Sequence, residues 1–330
     1  MNKVRWGVLG TAKIAVKQVI PAMQKGMYCE IIAIASRNLS RAQKIALELT
    51  ILKAYGSYQE LLDDPDIDAI YIPLPNHLHV PWAIKALEVG KHVLCEKPIG
   101  LSGVEALKLF EVARTKPGLK IMEAFMYRVH PQWQYSKKLV HDGRIGNLQN
   151  IHSFFSYHNI DSSNIRNKPE YGGGGLMDIG CYCVSLARFL FDAEPERVQA
   201  HLQFDPIMKI DRIASGILDF NIGSSTFTCS TQLMPYQRVN ILGDAGRVEI
   251  EIPFNAPFDK ITRIWHYTSE GKEEITFKPV DQYTIQGDLF SKSIIDDAEL
   301  PNSLLDAINN MKVIDALIKS AAEGIWIKPA

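Results

Sequence analysis

The chain has 330 residues, 46% of them apolar, and at roughly 150 residues per domain this calls for two ordinary cores. Its 36 basic and 37 acidic residues leave a formal net charge of −1, which excludes the strongly basic face of a nucleic-acid binder. No apolar run reaches the roughly 18 residues of a membrane span, no signal-peptide core is present, and the 5 cysteines form no CxxC pair. A cytoplasmic protein without membrane partners is therefore expected.

Along the first 125 residues, strand-like and helix-like segments alternate. Apolar strands are predicted at Val4–Leu9, Glu30–Ala35, Lys53–Tyr55, Ala69–Ile72, His92–Cys95 and Lys120–Ala124. Amphipathic helices are predicted at Ile14–Gln24, Ser40–Leu49, Val80–Val89 and Ser102–Thr115, the second opened by a Ser40/Gln43 capping box. This rhythm specifies an α/β domain over residues 1–125, with a doubly wound parallel sheet covered on both faces. Beyond Arg128 the pattern changes. A helix at Gln132–His141 leads into strands at Leu148–Tyr157, Ile213–Phe220, Ser225–Gln232, Gln237–Leu242 and Arg247–Ile252, and a helix near Leu304–Ala322 closes the chain. Residues 126–330 thus read as an α+β domain with an open, mostly antiparallel sheet. Few helices follow residue 190, so one sheet face, with residues such as Phe227 and Leu233, is expected to seek a second copy in a homodimer or homotetramer.

The first strand runs into GVLGTAKIA, where a dinucleotide fingerprint would be G-x-G-x-x-G. Gly10, Ala12 and Ala15 hold those positions, so two of the three glycines are missing. The loop still opens the first helix of a βαβ unit. Gly10, Thr11, Ala12, Lys13 and Ile14 are the candidate cradle for a pyrophosphate, with Lys13 adding positive charge. The second strand ends ASRNLSR, without the acid that would hold the ribose hydroxyls of NAD. Ser36, Arg37 and Arg41 stand there instead. The arginines are either a solvated face or a site for the 2′-phosphate of NADP, and we read the latter; NADP(H) is preferred and NAD(H) stays open.

After the fourth strand comes PLPNHLH, a rigid loop at the sheet's carboxyl edge. Pro73, Leu74, Asn76 and His77 can border a nicotinamide, and Asn76 and His77 can equally cap the next helix. His77-x-His79 and Cys181-x-Cys183 have metal-like spacing but no matching second pair, so no metal site is expected. The fifth strand ends in CEKP, where Pro98 stops the strand and Lys97 leaves the sheet's carboxyl end. Alone, this is a turn with a solvated lysine; after a fifth parallel strand it faces the nicotinamide crevice. Glu96 is either structural or an anchor for Lys97. Further on, GGGGLMDIGCY either begins a helix placing Asp178 and Tyr182 at i and i+4 on one face, or is a flexible loop before a core helix.

Together AIASR, YIPLPNHLH, GKHVLCEKP, MEAFMYRVHPQ and GGGGLMDIGCY resemble the Gfo/Idh/MocA family, the glucose–fructose oxidoreductase and inositol dehydrogenase group. The resemblance runs from Trp6 to the strands near 252. It implies an N-terminal Rossmann domain, a C-terminal domain for substrate and dimerisation, and chemistry at sugar or cyclitol carbons. It also implies that Lys97 is the catalytic lysine, Tyr182 the general acid/base and Asp178 the aspartate one turn before it. Many members carry histidine at the Tyr182 position. Tyrosine here is similar to the branch with dihydrodiol dehydrogenase, NADP-dependent xylose dehydrogenase and deoxysugar ketoreductases. The missing fingerprint glycines depart from the wider family. The chemistry is consistent: hydride transfer makes or consumes an alkoxide-like oxygen, which needs a positive donor and a proton source. The substrate expected is a sugar or polyol. Arg128, Tyr157, Arg166 and Trp265 are candidate pocket walls.

Overall fold

The computed structural model describes residues 2–330 and divides into two units. The first ends at Met126 and takes in Asp281–Ile308 as well; the second comprises Tyr127–Val280 and Asn309–Ala330. Residues 281–308, assigned above to the second domain, therefore belong to the first.

The first unit is built on β1 (Val4–Leu9), β2 (Cys29–Ala35), β3 (Lys53–Tyr55), β4 (Ala69–Ile72), β5 (His92–Cys95) and β6 (Ile121–Glu123). Helical segments between them are α1 (Ile20–Met23), α2 (Leu39–Glu48), α3 (Tyr58–Leu62), α4 (His79–Glu88) and α5 (Gly103–Arg114), with a π-turn at Ala15–Val19 leading into α1. The strands pair in parallel in the order β3-β2-β1-β4-β5-β6. That order reverses direction between β1 and β4, which opens a crevice at their carboxyl ends. Five of the six strands carry almost wholly buried residues, as a sheet covered on both faces requires. Helix α2 starts one residue before its predicted Ser40, and its cap is Asn38: the Asn38 side chain accepts from Arg41 N at 3.0 Å, and Ser40 Oγ donates to it at 2.6 Å. The expected Ser40/Gln43 box is thus replaced by an asparagine cap two residues earlier.

In the second unit come α6 (Pro131–His141), β7 (Leu148–His158), α7 (Cys181–Phe191), β8 (Arg197–Phe204), β9 (Asp211–Phe220), β10 (Gly223–Ser230), β11 (Gln232–Gly243), β12 (Gly246–Ile250), β13 (Thr262–Thr268) and β14 (Gly271–Phe277). Its eight-stranded sheet has the order β14-β13-β12-β11-β7-β10-β9-β8, antiparallel except for the β7–β10 pair. Strands β8, β13 and β14 were not predicted; β14 is mostly exposed and lacks an apolar alternation. One sheet face packs on helices and carries Ile151, Phe155, Leu218, Phe227 and Val239, all buried. Phe227 therefore lies on the covered face, contrary to expectation, because its side alternates with Thr226 and Thr228. The opposite face carries Ile217 and Phe154, with Tyr236 packed against Phe154.

Helix α8 (Gln282–Ile295) returns to the first unit, and α9 (Leu304–Glu323) follows it. The return has a packing reason. Phe290 of α8 lies 5.4 Å from the Trp6 ring in the middle of β1, and Trp6 Nε1 donates to Ser291 Oγ at 3.1 Å. Asp288 accepts from the backbone N–H of Met27 and Tyr28, at 3.0 and 2.9 Å. Without α8, a fully buried tryptophan would face water. Among the described residues, the stretch 169–191 alone combines the length and apolarity of a membrane span, and 89% of its apolar window is buried in the protein.

Candidate active site: two half-sites

In the first unit the loops after β1, β2, β4 and β5 converge at the crevice. Gly10 leaves β1 with φ +101°, and its N–H donates to Ala35 O at the end of β2, 2.8 Å away. A Cβ there would stand 2.9 Å from Leu74 Cδ2 and 3.6 Å from the Tyr58 hydroxyl, so both backbone and space demand glycine. Thr11 and Ala12 are half-buried, Lys13 is exposed, and helical geometry starts at Lys13. Ala15, at the third fingerprint position, is fully buried; the helix packs closely there with a methyl in place. Ile14, half-buried, packs against the unit's core.

At the end of β2, Ser36 is buried and its hydroxyl accepts from Asn38 N at 3.2 Å. Arg37 is exposed; burial raises the pKa of the Tyr58 phenol, and the Arg37 charge pulls it down. Arg41 donates from its guanidinium to Thr11 O at 3.1 Å, tying α2 to the loop after β1. Two guanidinium groups and a capped helix start thus border a loop end without an acid. That arrangement suits a nucleotide carrying an extra phosphate, and the Gly10 turn leaves backbone open where a Cβ would intrude.

Beyond β4, Pro73 and Leu74 are buried, while Asn76 and His77 form a 3-10 turn before α4 and are half-buried. The peptide between Lys97 and Pro98 is cis, and Lys97 is half-buried after β5. Glu96 accepts from the Tyr71 hydroxyl at 2.6 Å; burial and this carboxylate push the Tyr71 phenol well up. Tyr283, from the returning α8, also feels the Glu96 charge. Glu96 is therefore anchored in the first unit's core by a buried tyrosine.

The second unit holds Asp178 and Tyr182. The helix starts at Leu176 with a π-turn over Leu176–Gly180 and continues as α7. Asp178 accepts from Tyr157 Oη at 2.6 Å and from Arg166 Nε at 3.0 Å. Burial, followed by the Asp178 charge, pushes the Tyr157 phenol up, so it remains a donor. Tyr182 is 6% exposed, its ring 5.3 to 5.8 Å from those of Phe254, Tyr127 and Phe155. A ring so confined has a fixed direction.

The glycine run has a definite task. Gly173 N donates to Lys168 O and Gly174 N to Arg166 O, at 3.0 and 2.9 Å, so the chain folds back on the segment carrying Arg166. Gly174 has φ +117°, and a Cβ on it would collide with the Asp211 carboxylate. Asp211, from β9, accepts from Leu176 N at 2.6 Å and from Gly175 N, capping the π-turn. Burial raises its pKa to about 7. Asp211 was not singled out from sequence, since nothing local marks a carboxylate 35 residues away as a cap. Of the candidate walls, Tyr157 and Arg166 meet Asp178. Arg128 donates to Ser185 Oγ on α7 at 3.0 Å, and Trp265 Nε1 bonds Glu251 at 3.0 Å with Lys272 over its ring.

A doubly wound nucleotide crevice beside a lysine at a strand end, in a chain whose second unit presents a clamped tyrosine–aspartate helix, defines a dinucleotide-dependent oxidoreductase. The comparisons narrow this class. The family described as an oxidoreductase family with an NAD-binding Rossmann fold matches residues 4–124, and the GFO/IDH/MocA C-terminal domain matches residues 133–249. An uncharacterised oxidoreductase of Rhizobium meliloti is 43% identical over 99% of both chains. A D-xylose 1-dehydrogenase (NADP(+)) of Haloferax volcanii is 38% identical over 98% of this chain and 99% of its own. The crystal structure of a 3-ketoreductase from Actinomadura kijaniata, in complex with NADP and TDP-benzene, superimposes with a TM-score of 0.91 at 28% identity, covering 97% of this chain and 98% of that one. The chain belongs to the Gfo/Idh/MocA family of NAD(P)-dependent oxidoreductases.

Proposed function

We propose that the protein is an NADP(H)-dependent oxidoreductase acting on a sugar or polyol, first of all an aldose dehydrogenase of the xylose or glucose type. The observation that carries this reading is the full-length likeness to the NADP-dependent xylose dehydrogenase, supported by a β2 end with two arginines and no acid. Gly10 to Ile14 would hold the pyrophosphate, Ser36, Arg37 and Arg41 the 2′-phosphate, and Pro73, Leu74, Asn76, His77 and Glu96 the nicotinamide end. When bound, the nicotinamide supplies or takes up hydride at the substrate carbon. Tyr182 exchanges the proton with the substrate oxygen, and Lys97 steadies negative charge on that oxygen. Asp178, fixed by Tyr157 and Arg166, orients substrate or tyrosine.

A second reading is a keto-sugar reductase, favoured by the likeness to the 3-ketoreductase structure. A silent NADP-binding protein would be expected to lack Lys97 or Tyr182; both are present. The test is a panel of aldoses, keto-sugars, inositols and dihydrodiols with NADP and NADPH. Turnover of aldoses with NADP supports the first reading, turnover of keto-sugars alone with NADPH the second, and no turnover of any sugar or polyol overturns both. We further infer a homodimer or homotetramer through the open face of the second unit's sheet, where Ile217 and Tyr236 stay 39% and 49% exposed. Light scattering that returned a monomer mass at micromolar concentration would count against it.

A further inference from the structure

We propose that His79 is a positioning residue, one side chain that ties together the loop after β4 and the loop bearing Lys97. It stands at the first turn of α4 and is 1% exposed. Its Nδ1 lies 2.7 Å from Pro98 O, and its Nε2 lies 2.7 Å from Leu74 O. Leu74 belongs to the loop that carries Asn76 and His77, and Pro98 directly follows Lys97. The β4–β5 ladder ends at the Ile72–Cys95 pair and the bond from Glu96 N to Ile72 O. His79 spans the gap that opens beyond it. From the other side, Ile99 N donates to Glu123 Oε1 at 2.7 Å, so the Lys97–Pro98 segment is gripped on both flanks.

A carbonyl oxygen only accepts, so each ring nitrogen must carry a proton to bond at this distance. Burial works against the cation and lowers the pKa to about 4; Lys97 and His77 add to the fall, and the two carbonyls oppose it. A neutral ring bonds one loop at a time, and an uncharged group with two N–H donors bonds both. That difference supplies the test. His79→Phe keeps an aromatic ring and removes the N–H that serves one carbonyl or the other according to tautomer; His79→Gln supplies an uncharged amide NH2 in its place.

The proposal rests on the assignment of Lys97 as the catalytic lysine for its effect on rate, but its deciding measurement does not. Hydrogen exchange on the full chain should show faster exchange, by about tenfold or more, in segments 73–78 and 96–101 of His79→Phe, with the rest of the first unit's sheet unchanged. His79→Gln should return both segments most of the way. Hydride transfer with the best substrate of the panel should fall about 10- to 100-fold in His79→Phe, as for a displaced reacting group, and recover in His79→Gln. Unchanged exchange in either segment, uniform acceleration across β1 to β6, or a glutamine variant no better than phenylalanine overturns the proposal. Full activity in Lys97→Met would sink the lysine assignment and leave the exchange result standing.

Discussion

The helix after β1 and the helix carrying Tyr182 both open with a π-turn, at Ala15–Val19 and Leu176–Gly180, yet they are held in different ways. The first is placed by its own neighbourhood: β1 aims it, Gly10 N bonds the adjacent strand, and Arg41 bonds Thr11 O from the next helix. The second is placed from afar, by Asp211 of β9 at its start and by Tyr157 of β7 on its aspartate. A nucleotide crevice needs only backbone at strand ends, which a parallel sheet provides by construction. A proton donor must hold one direction, and that takes side chains from several strands. Substitutions in the first half-site should therefore act locally, and those in the second should travel.

The largest effects test the chemistry itself. Tyr182→Phe keeps the ring and its packing, so the variant should fold and bind NADPH as wild type does, while kcat falls about 10²- to 10⁴-fold. Lys97→Met should lose at least as much, and the double variant should be little worse than the worse single one, since groups that act as a unit do not add. Single-turnover NADPH oxidation at the wild-type rate in the phenylalanine variant would remove Tyr182 as proton donor. Next in size is Arg37. Arg37→Ala should weaken NADPH by roughly ten- to a hundredfold, as a charge-assisted contact of about 1.5–3 kcal/mol is lost. NADH should be nearly untouched. Equal losses for both cofactors would refute the 2′-phosphate assignment.

The contrast between the half-sites also explains what could be read from the sequence. β1, β4 and β5 have their predicted bounds because a strand buried on both faces is a short apolar run; β3, only half-buried, keeps its predicted bounds as well and is closed by Gly56. α8 was invisible: its reason is Trp6, some 280 positions earlier, and its own stretch QYTIQGDLFSKSII mixes polar and apolar residues without a clean stripe. Asp178 and Tyr182 could be picked out by their neighbours, GGGG and GCY. Tyr157 and Arg166 were named only as pocket walls; their bonds to Asp178, like the Asp211 cap, act across strand pairings and a folded-back loop, and such separations leave no local mark.

Tyr157→Phe sharpens the comparison at intermediate size. It removes one hydrogen bond to Asp178 and leaves the Arg166 pair in place. We expect a loss of about tenfold in kcat, the order of one charge-assisted hydrogen bond, with NADPH affinity unchanged because the first half-site is untouched. A matching fall in NADPH affinity would break the division between a locally held and a remotely held half-site.

The smallest expected effect on rate is at Asp211, where the clearer readout is the pH dependence of stability. An unfolded aspartate titrates near 3.9, and burial holds this one at about 7 in the folded chain. Its folded pKa is raised, so its contribution is fully present below about pH 4 and is lost as pH rises toward 7. In that window the unfolded chain ionises the group while the fold keeps it protonated, at about 1.4 kcal/mol per unit of pKa difference. Above pH 7 the fold carries a buried carboxylate steadied by the N–H groups of Gly175 and Leu176. Asp211→Asn does not titrate. The melting temperature of wild type minus that of the variant should therefore decline between pH 4 and 7 and level off by pH 8. Kcat should drop modestly in the variant above pH 7, because an amide offers one acceptor oxygen where the carboxylate offers two, and the Tyr182 helix loses part of its cap. A melting difference that is flat with pH would mean that the carboxyl is ionised throughout, and burial would then not be the stronger force at this turn.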